Sequence, residues 1–267
     1  MVEATAESAL GEIVEDRLLD GRLLLRQPRK GHRAGSDAIL LAAAIPALGE
    51  GPLLDMGAGV GTVGLAVALA QPALRVVLVE RDPDLVALAQ ANIAANGCTE
   101  RVAVFGADIE GSSAALTTAG LCTGQFACIA MNPPFFAART TRPSPVPNRR
   151  AAHVADGTLE GWLKAARRLL KPDGRICIIH RAEALAEILA GLAKGFGAVE
   201  IRPIQPTADR PAIRVLVAAS RGSKKPAVLL PAFVLHHQDG RFTPESEAIH
   251  RGQATFADLG DLPPRSQ

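Results

Sequence analysis

Short apolar runs alternate along the chain with longer segments that have helical character. The runs cover residues 52–56, 75–79, 102–105, 126–131, 175–180, 198–204 and 213–219. Continuous apolar runs of this length are typical of strands buried on both faces of a sheet. Helix-forming segments cover residues 62–70, 83–96, 158–170 and 182–196, with a shorter helix within 111–124. This alternation predicts an α/β fold with a mostly parallel sheet.

The two ends of the chain depart from that alternation. Leucine runs at 18–19 and 23–25 flank Asp20-Gly21, which predicts a small hairpin within an N-terminal extension, residues 1–50. A proline-rich turn, and no helix, joins the runs at 198–204 and 213–219, so these strands should be antiparallel. The run at 227–235 suggests an added strand, paired with the extension near residues 18–26. The main domain is predicted to span residues 51–256, ahead of a flexible tail at 257–267.

Composition places the chain among ordinary globular proteins. Hydrophobic residues make up 48% and charged residues 21% of its 267 positions. The acidic start lacks a signal-peptide pattern, and the apolar stretches are shorter than a membrane span, so we expect a soluble cytoplasmic protein without membrane contact. The four cysteines form no C-x-x-C pair. They are expected to be reduced core residues, with no bound metal.

Positive charge is concentrated in two stretches although the net charge is only +2. Residues 17–33 hold six bases against one acid, and residues 137–155 hold four arginines and no acid: Arg139, Arg142, Arg149 and Arg150. Such stretches are either solvated loops or contacts for phosphate groups. Both stretches flank the candidate site considered next, residues 132–136, and this favours phosphate contact. The loop at 137–156 is long enough to predict a lid over a substrate.

The motif Asn132-Pro133-Pro134-Phe135-Phe136 follows the apolar run at 126–131. It should therefore lie at the carboxyl end of a strand, where open α/β sheets bind ligands. The Asn132 amide oxygen and the Pro133 carbonyl can both accept hydrogen bonds from one amino group. Phe135 offers a face on which a flat substrate can stack. The competing interpretation is a proline-rich turn closed by core phenylalanines.

A glycine loop, residues 57–61, joins the run at 52–56 to a helix. Glycines permit a sharp turn and close approach of a ligand, and the helix start presents free N–H groups. Gly59, Gly61 and Gly64 also satisfy G-x-G-x-x-G, so a dinucleotide site stays open. Glu80, at the end of the second strand, can accept ribose hydroxyls. Asp108 follows the third strand and either accepts an adenine amino group or caps a turn.

Taken together, these residues resemble a class I S-adenosylmethionine-dependent methyltransferase of the N-P-P-aromatic type. The segments at 31–41, 55–61, 132–136 and 239–245 are most similar to the bacterial family that methylates adenine N6 in the anticodon loop of a valine tRNA. The resemblance implies a Rossmann-like seven-stranded sheet with an antiparallel last strand and helices on both faces. It also implies S-adenosylmethionine as cofactor and an RNA, most simply a tRNA, as partner.

The resemblance assigns roles to individual positions. The cofactor residues it implies are Asp37, Asp55, Gly57, Gly59, Gly61, Glu80, Asp108 and Asn132. Taken alone, Ser36 or Asp37 would instead be the N-cap of a helix at 38–44. Catalysis is assigned to residues 132–135, through the amine clamp. The substrate residues we predict are Phe135, Phe136, Arg139, Arg149 and Arg150.

The identity of the methyl acceptor is left open by Phe135, because the adenine-N6 family usually has tyrosine there. Ribosomal RNA guanine-N2 and protein-glutamine N5 methyltransferases share the motif and are alternatives. Two further classes compete with methyl transfer. A nicotinamide-dependent oxidoreductase would explain the glycines and Glu80, and a non-catalytic RNA-binding module would explain the basic stretches, but neither explains the motif at 132–136. The sequence does not indicate an oligomeric state.

Overall fold

The computed structural model describes residues 11–30, 35–134 and 158–259 of the chain. Its strands are β1 (Ile13–Leu18), β2 (Leu23–Pro28), β3 (Leu53–Met56), β4 (Val76–Glu80), β5 (Val102–Gly106), β6 (Phe126–Met131), β7 (Leu170–Arg181), β8 (Phe196–Gln205), β9 (Arg214–Arg221), β10 (Val228–Leu229) and β11 (Phe233–Val234). Its helices are α1 (Ser36–Ala44), α2 (Thr62–Ala70), α3 (Pro83–Ala95), α4 (Ser113–Thr118), α5 (Leu159–Leu169), α6 (Leu185–Leu192) and α7 (Pro244–His250).

Seven strands form the main sheet in the order β5-β4-β3-β6-β7-β9-β8. Neighbours from β5 to β7 are parallel, whereas β9 is antiparallel to both β7 and β8. The predicted α/β fold and its antiparallel last strand are therefore confirmed. The two-residue strands β10 and β11 extend the sheet by pairing with the outer edge of β8.

Apolar cores lie on both faces of this sheet. Strands β3 and β6 are buried along their whole length, as their unbroken apolar sequences predict. The core on one face includes residues of α1, α2, α3 and the β1–β2 hairpin. The core on the other face includes residues of α4, α5 and α6. Helices on both faces confirm the predicted three-layer arrangement and leave the strand ends as the place for a site.

The predicted hairpin is confirmed as β1 and β2, with Leu18 opposite Leu23. Two asparagines of α3 hold it against the main domain. Asn96 accepts a hydrogen bond from the N–H of Leu24 at 2.9 Å, and Asn92 accepts one from the N–H of Arg26 at 2.8 Å. The predicted pairing of run 227–235 with this hairpin is wrong. The run forms β10 and β11, which pair in parallel with β8 because that edge strand has unpaired backbone groups.

The helix predicted at 182–196 needs correction, and one further helix was not predicted. The helix predicted at 182–196 is a short 3-10 turn followed by α6, which ends at Leu192. Gly195, with a φ of 111°, lies in the turn that leads from α6 to Phe196, which is buried in β8. Helix α7 was not predicted, although Thr243 is its N-cap and Pro244 is its first residue. In the predicted tail, residues 257–259 form a turn and residues 260–267 lie outside the described part. The domain limits at 50 and 256 stay a prediction.

Three of the four cysteines are buried as expected, whereas Cys122 is exposed and is not the core residue that was expected. Cys128 is in β6 and Cys177 in the adjacent β7, and both are almost fully buried. Within the described ranges, no helix has the length and apolar character needed to cross a lipid bilayer.

Candidate active site

The carboxyl ends of adjacent parallel strands bring three predicted site residues together. Met56 of β3 lies between Val79 of β4 and Met131 of β6 in the strand register. The residues that follow these positions are Gly57, Glu80 and Asn132, so they emerge side by side with strand spacings of about 4.8 Å. The glycine loop and the N-P-P motif therefore share one edge of the sheet, as the sequence predicts.

The glycine loop adopts a backbone that few other residues could follow. Gly57, Gly59 and Gly61 have φ angles of 72°, 56° and 90°. The N–H groups of Gly57 and Ala58 both donate to the carbonyl of Val79 at 2.9 Å. A Cβ on Gly57 would lie 2.3 Å from the ring of Trp162, whereas a Cβ on Gly59 would meet nothing within 4 Å. The loop is thus packed on its inner side and open at Gly59.

Glu80 is fixed by backbone N–H donors on both of its carboxylate oxygens. Oε2 accepts from Gly59 at 2.9 Å, and Oε1 accepts from Arg81 at 2.8 Å and Asp82 at 3.0 Å. A carboxylate has about four acceptor positions, so this one has room for a further donor. A hydroxyl group, such as one from a ribose, would fit that role.

Asp55 lies beneath the loop. Its Oδ2 accepts a hydrogen bond from the N–H of Gly64 in α2 at 2.8 Å, and its side chain is almost fully buried. Burial raises the pKa of Asp55 to about 7, the Gly64 hydrogen bond opposes this shift, and the charge of Glu80 adds to it. A nearby cation would favour the ionised form of Asp55. S-adenosylmethionine carries a sulfonium and an ammonium group. The two neighbouring acids, Asp55 and Glu80, therefore fit the cofactor that the resemblance implies.

Asp108 lies just after β5, the strand next to β4. Its Oδ1 accepts a hydrogen bond from the N–H of Glu110 at 2.9 Å, which is the turn-capping contact that the sequence allows. The side chain is exposed at the same edge of the sheet as Glu80. The position is compatible with recognition of an adenine amino group, and that role stays a prediction.

The N-P-P motif continues directly from β6. Asn132 is half-buried and Pro133 is buried, so the motif is tied to the core and does not project as an exposed turn. The remaining residues predicted for catalysis or substrate binding lie outside the described residues: Phe135, Phe136, Arg139, Arg149 and Arg150. The lid predicted at 137–156 lies outside them as well.

Asp37 is not the helix cap that local sequence favours. The N-cap of α1 is Gly35, without a side-chain hydrogen bond, and Ser36 and Asp37 lie inside the helix. The Asp37 carboxylate instead accepts a hydrogen bond from Nε of Arg214 at 2.8 Å. Arg214 begins the antiparallel strand β9, so this ion pair also lies at the carboxyl edge of the parallel strands.

An arginine-lined cleft of about 840 Å³ opens at the ends of β7, β8 and β9. Its cations are Arg181, Arg210 and Arg214, and Glu183 is at its exposed rim. Because β7 is the neighbour of β6, the cleft lies on the Asn132 side of the edge, away from the glycine loop. We call it the arginine cleft.

The turn between β8 and β9 holds one wall of the arginine cleft in place. Asp209 accepts hydrogen bonds from the Thr207 hydroxyl at 2.6 Å and from the Gln238 amide at 2.8 Å. Gln205 donates to the carbonyl of Arg210 at 3.0 Å. Sequence reasoning missed this cleft, because only the strand pairing shows that these residues lie near Asn132.

Two supporting residues were also missed. Trp162 of α5, the only tryptophan of the chain, packs against Gly57. Asn92 of α3 is fully buried and donates to the carbonyls of Val60 and Arg26, both at 3.0 Å. It thereby links the glycine loop to the N-terminal hairpin. A polar residue at a core position of a helix is the signal that could have identified Asn92.

Known proteins resemble this chain over most of its length. The family described as "Methyltransferase small domain" matches residues 33–205. The chain is 28% identical to the tRNA1(Val) (adenine(37)-N6)-methyltransferase of Dickeya chrysanthemi, covering 82% of this chain and 86% of that protein. It is 30% identical to the protein of the same name from Tolumonas auensis, covering 84% and 90%.

A solved structure has a similar fold. It is described as a predicted O-methyltransferase, protein Atu636 from Agrobacterium tumefaciens. The TM-score is 0.71 with 28% sequence identity, and the match covers 82% of this chain and 98% of that chain.

Proposed function

Since this chain belongs to the methyltransferase small domain family of S-adenosylmethionine-dependent methyltransferases, we propose that it methylates the exocyclic N6 of an adenine in a tRNA loop. The observation that carries this proposal is the position of Asn132-Pro133-Pro134 beside the glycine loop at one sheet edge. The relatives named as tRNA1(Val) adenine-N6 methyltransferases support the choice of base and RNA.

The cofactor would be held by the half of the edge formed by β3, β4 and β5. The open backbone at Gly59 would face it, Glu80 would accept a ribose hydroxyl, and Asp108 would accept the adenine amino group. S-adenosylmethionine, when bound, supplies an electrophilic methyl group. The charges of Asp55 and Glu80 favour such a cation in the site.

Asn132 and Pro133 would activate and orient the acceptor. The amide oxygen of Asn132 and the carbonyl of Pro133 accept the two N–H groups of the exocyclic amine and hold its lone pair toward the methyl group. An amine conjugated to a base is a weak nucleophile, so this positioning is the main catalytic contribution. The proton becomes acidic as the new N–C bond forms and can then leave to water. No strong general base is needed.

The arginine cleft supports an acceptor that carries phosphate groups. It opens one to three strands away from Asn132, a distance of about 5–15 Å at normal strand spacing. The phosphates next to a target nucleotide would pass through this region. A base must leave its stack to reach such a site, which is easiest in a single-stranded loop.

A guanine-N2 acceptor is the second candidate, because the resemblance to the adenine-N6 family implies tyrosine at position 135 and this chain has phenylalanine there. The test is methyl transfer from labelled S-adenosylmethionine to total RNA and, separately, to total protein, followed by digestion of the RNA to nucleosides. We expect label in N6-methyladenosine from the tRNA fraction. Label in guanine or in protein would overturn the adenine assignment, and no transfer to either would overturn the proposed activity.

A further inference from the structure

A second basic surface lies outside the site and on the α5 face of the sheet. Its cations are Lys164, Arg167 and Arg168 of α5 and Arg221 at the end of β9. Residues 109–113 form its opposite wall, and the groove encloses about 960 Å³. We call these residues the basic groove. The methyl-transfer chemistry proposed above does not use it.

The spacing of the α5 cations places them on one side of the helix. Lys164, Arg167 and Arg168 are related as i, i+3 and i+4, so their side chains are neighbours. Among the described residues that line the groove, Glu110 is the one acid against four cations, an excess of three positive charges. Lys164 and Arg167 are exposed to solvent.

In the part of the chain that the structure describes, the three arginines of the groove donate hydrogen bonds to neutral oxygen atoms. These are Arg167 with the carbonyl of Lys194, Arg168 with the Ser113 hydroxyl at 2.7 Å, and Arg221 with the carbonyl of Leu170. A neutral acceptor orients a guanidinium group without cancelling its charge. Each guanidinium has five N–H donors, so further donors are available to an anion. This differs from Arg214, whose charge is paired with Asp37.

The groove begins at the site and leads away from it. Thr158, the N-cap of α5, donates its N–H to Glu110 at 3.3 Å, and Glu110 is two residues from Asp108. From Thr158 to Arg168 the helix extends about 15 Å. A nucleic-acid strand carries about one charge per 3.4 Å, so that length corresponds to about four phosphates. The three cations of α5 lie in the second half of that length, away from the site.

We propose that the basic groove binds the phosphodiester backbone of the RNA substrate at a distance from the methylated loop. This inference rests on the proposed function, because it takes an RNA as the acceptor. A solvated helix face would account for the exposure of Lys164 and Arg167. It would not account for three guanidinium groups from two elements held toward one groove.

The test is the salt dependence of tRNA binding by the full chain carrying Lys164→Gln and Arg167→Gln. The probe is an unmodified valine tRNA transcript with adenine at position 37. Each lost phosphate contact lowers the slope of log affinity against log salt by about 1, so we expect a decrease of about 2. At 0.1 M salt, affinity should fall roughly tenfold or more. Turnover at saturating tRNA and cofactor affinity should be unchanged.

The matched control is Arg75→Gln with Arg251→Gln, which removes two exposed charges that line neither the basic groove nor the arginine cleft. It should leave the slope near that of the unmodified protein. Lys164→Glu serves as a second variant if loss of the Arg167 hydrogen bond reduces stability, and it should also weaken tRNA binding. Equal salt slopes for the groove and control variants would overturn the proposed role of the basic groove in RNA binding. Absence of methyl transfer to tRNA by the unmodified protein would instead overturn the proposed function, so the two failures are distinguishable.

Discussion

The two halves of the candidate site differ in whether backbone groups or side chains form most of them. The half at β3 and β4 is mostly backbone: it has glycines with positive φ and N–H groups directed at Val79, Glu80 and Asp55, and its two acids, Glu80 and Asp55, are both held by backbone N–H groups. The half at β6, β7 and β9 consists of side chains: Asn132, the Asp37–Arg214 ion pair and the arginine cleft.

We propose that this difference reflects what each half recognises. A cofactor of fixed shape can be held by backbone geometry, which a short motif encodes. Recognition of an acceptor by the second half would instead depend on side chains that come from distant parts of the chain. We therefore expect changes at the first half to affect cofactor binding, and changes at the second half to affect turnover or substrate affinity. The following predictions test that division, from the largest expected effect to the smallest.

Asn132→Ala should lower turnover by about 10²- to 10³-fold, the range seen when one hydrogen-bonding group that stabilises a transition state is removed. Cofactor affinity should change little. It can be measured by fluorescence, because Trp162 is the only tryptophan, the chain has no tyrosine, and the ring packs against Gly57. Asn132→Asp keeps an acceptor and should retain more activity. A large loss of cofactor affinity in the alanine variant would assign Asn132 to the first half.

Gly57→Ala should mainly reduce folded stability, whereas Gly59→Ala should mainly reduce cofactor affinity. Both place alanine at positive φ, a strain of about 1–2 kcal/mol. Only Gly57→Ala also drives a methyl group into Trp162, which adds about 1–3 kcal/mol of overpacking. Gly59→Ala should keep most of its stability and lose cofactor affinity, since its methyl group would enter the open side of the loop. Urea unfolding and calorimetry of cofactor binding measure the two effects, and equal destabilisation would contradict the packing argument.

Asp55→Asn tests the buried acid of the first half through pH. The folded chain raises the pKa of Asp55 from 3.8 to about 7, so between these values it keeps a proton that the unfolded chain has lost. Folded stability should therefore fall as pH rises from about 4 to 7, by at most about 4 kcal/mol, and then level off. Asparagine cannot ionise but can still accept from Gly64.

The Asp55→Asn variant should consequently be more stable than the unmodified protein at pH 8 and similar to it at pH 4. Urea midpoints at the two pH values give this difference. Its cofactor affinity at pH 8 should be lower, because a negative charge near the cationic cofactor is removed. Parallel stability profiles for the two proteins would show that Asp55 is not protonated in the folded chain.

The sequence predicted the first half more completely than the second. The bounds of α2 and β6 agree with the prediction residue for residue, because glycines and prolines mark their ends. The glycine loop and Glu80 follow from local pattern alone. Such signals extend over a few residues, which is enough for elements whose role is set by their own backbone.

Contacts across long distances in sequence could not be obtained in this way. Asp37 and Arg214 are 177 positions apart, and Asp37 alone has the appearance of a helix cap. The partner of run 227–235 was also wrong, since the edge of β8 becomes available only once the sheet has formed. The predicted strand and hairpin existed, but tertiary pairing decided what they contact.

The smallest effect concerns Asp37, whose predicted cofactor role would place it in the first half although its ion pair lies in the second. Both side chains of the pair are somewhat over a quarter exposed, so the pair should contribute only about 0.5–1 kcal/mol. A double-mutant cycle with Asp37→Asn and Arg214→Gln separates the two roles. If Asp37 acts through Arg214, both single variants should raise the KM for tRNA a few-fold, the double variant should add little, and cofactor affinity should stay constant. If Asp37→Asn weakens cofactor binding equally with and without Arg214, then Asp37 contacts the cofactor, and the two halves meet at α1.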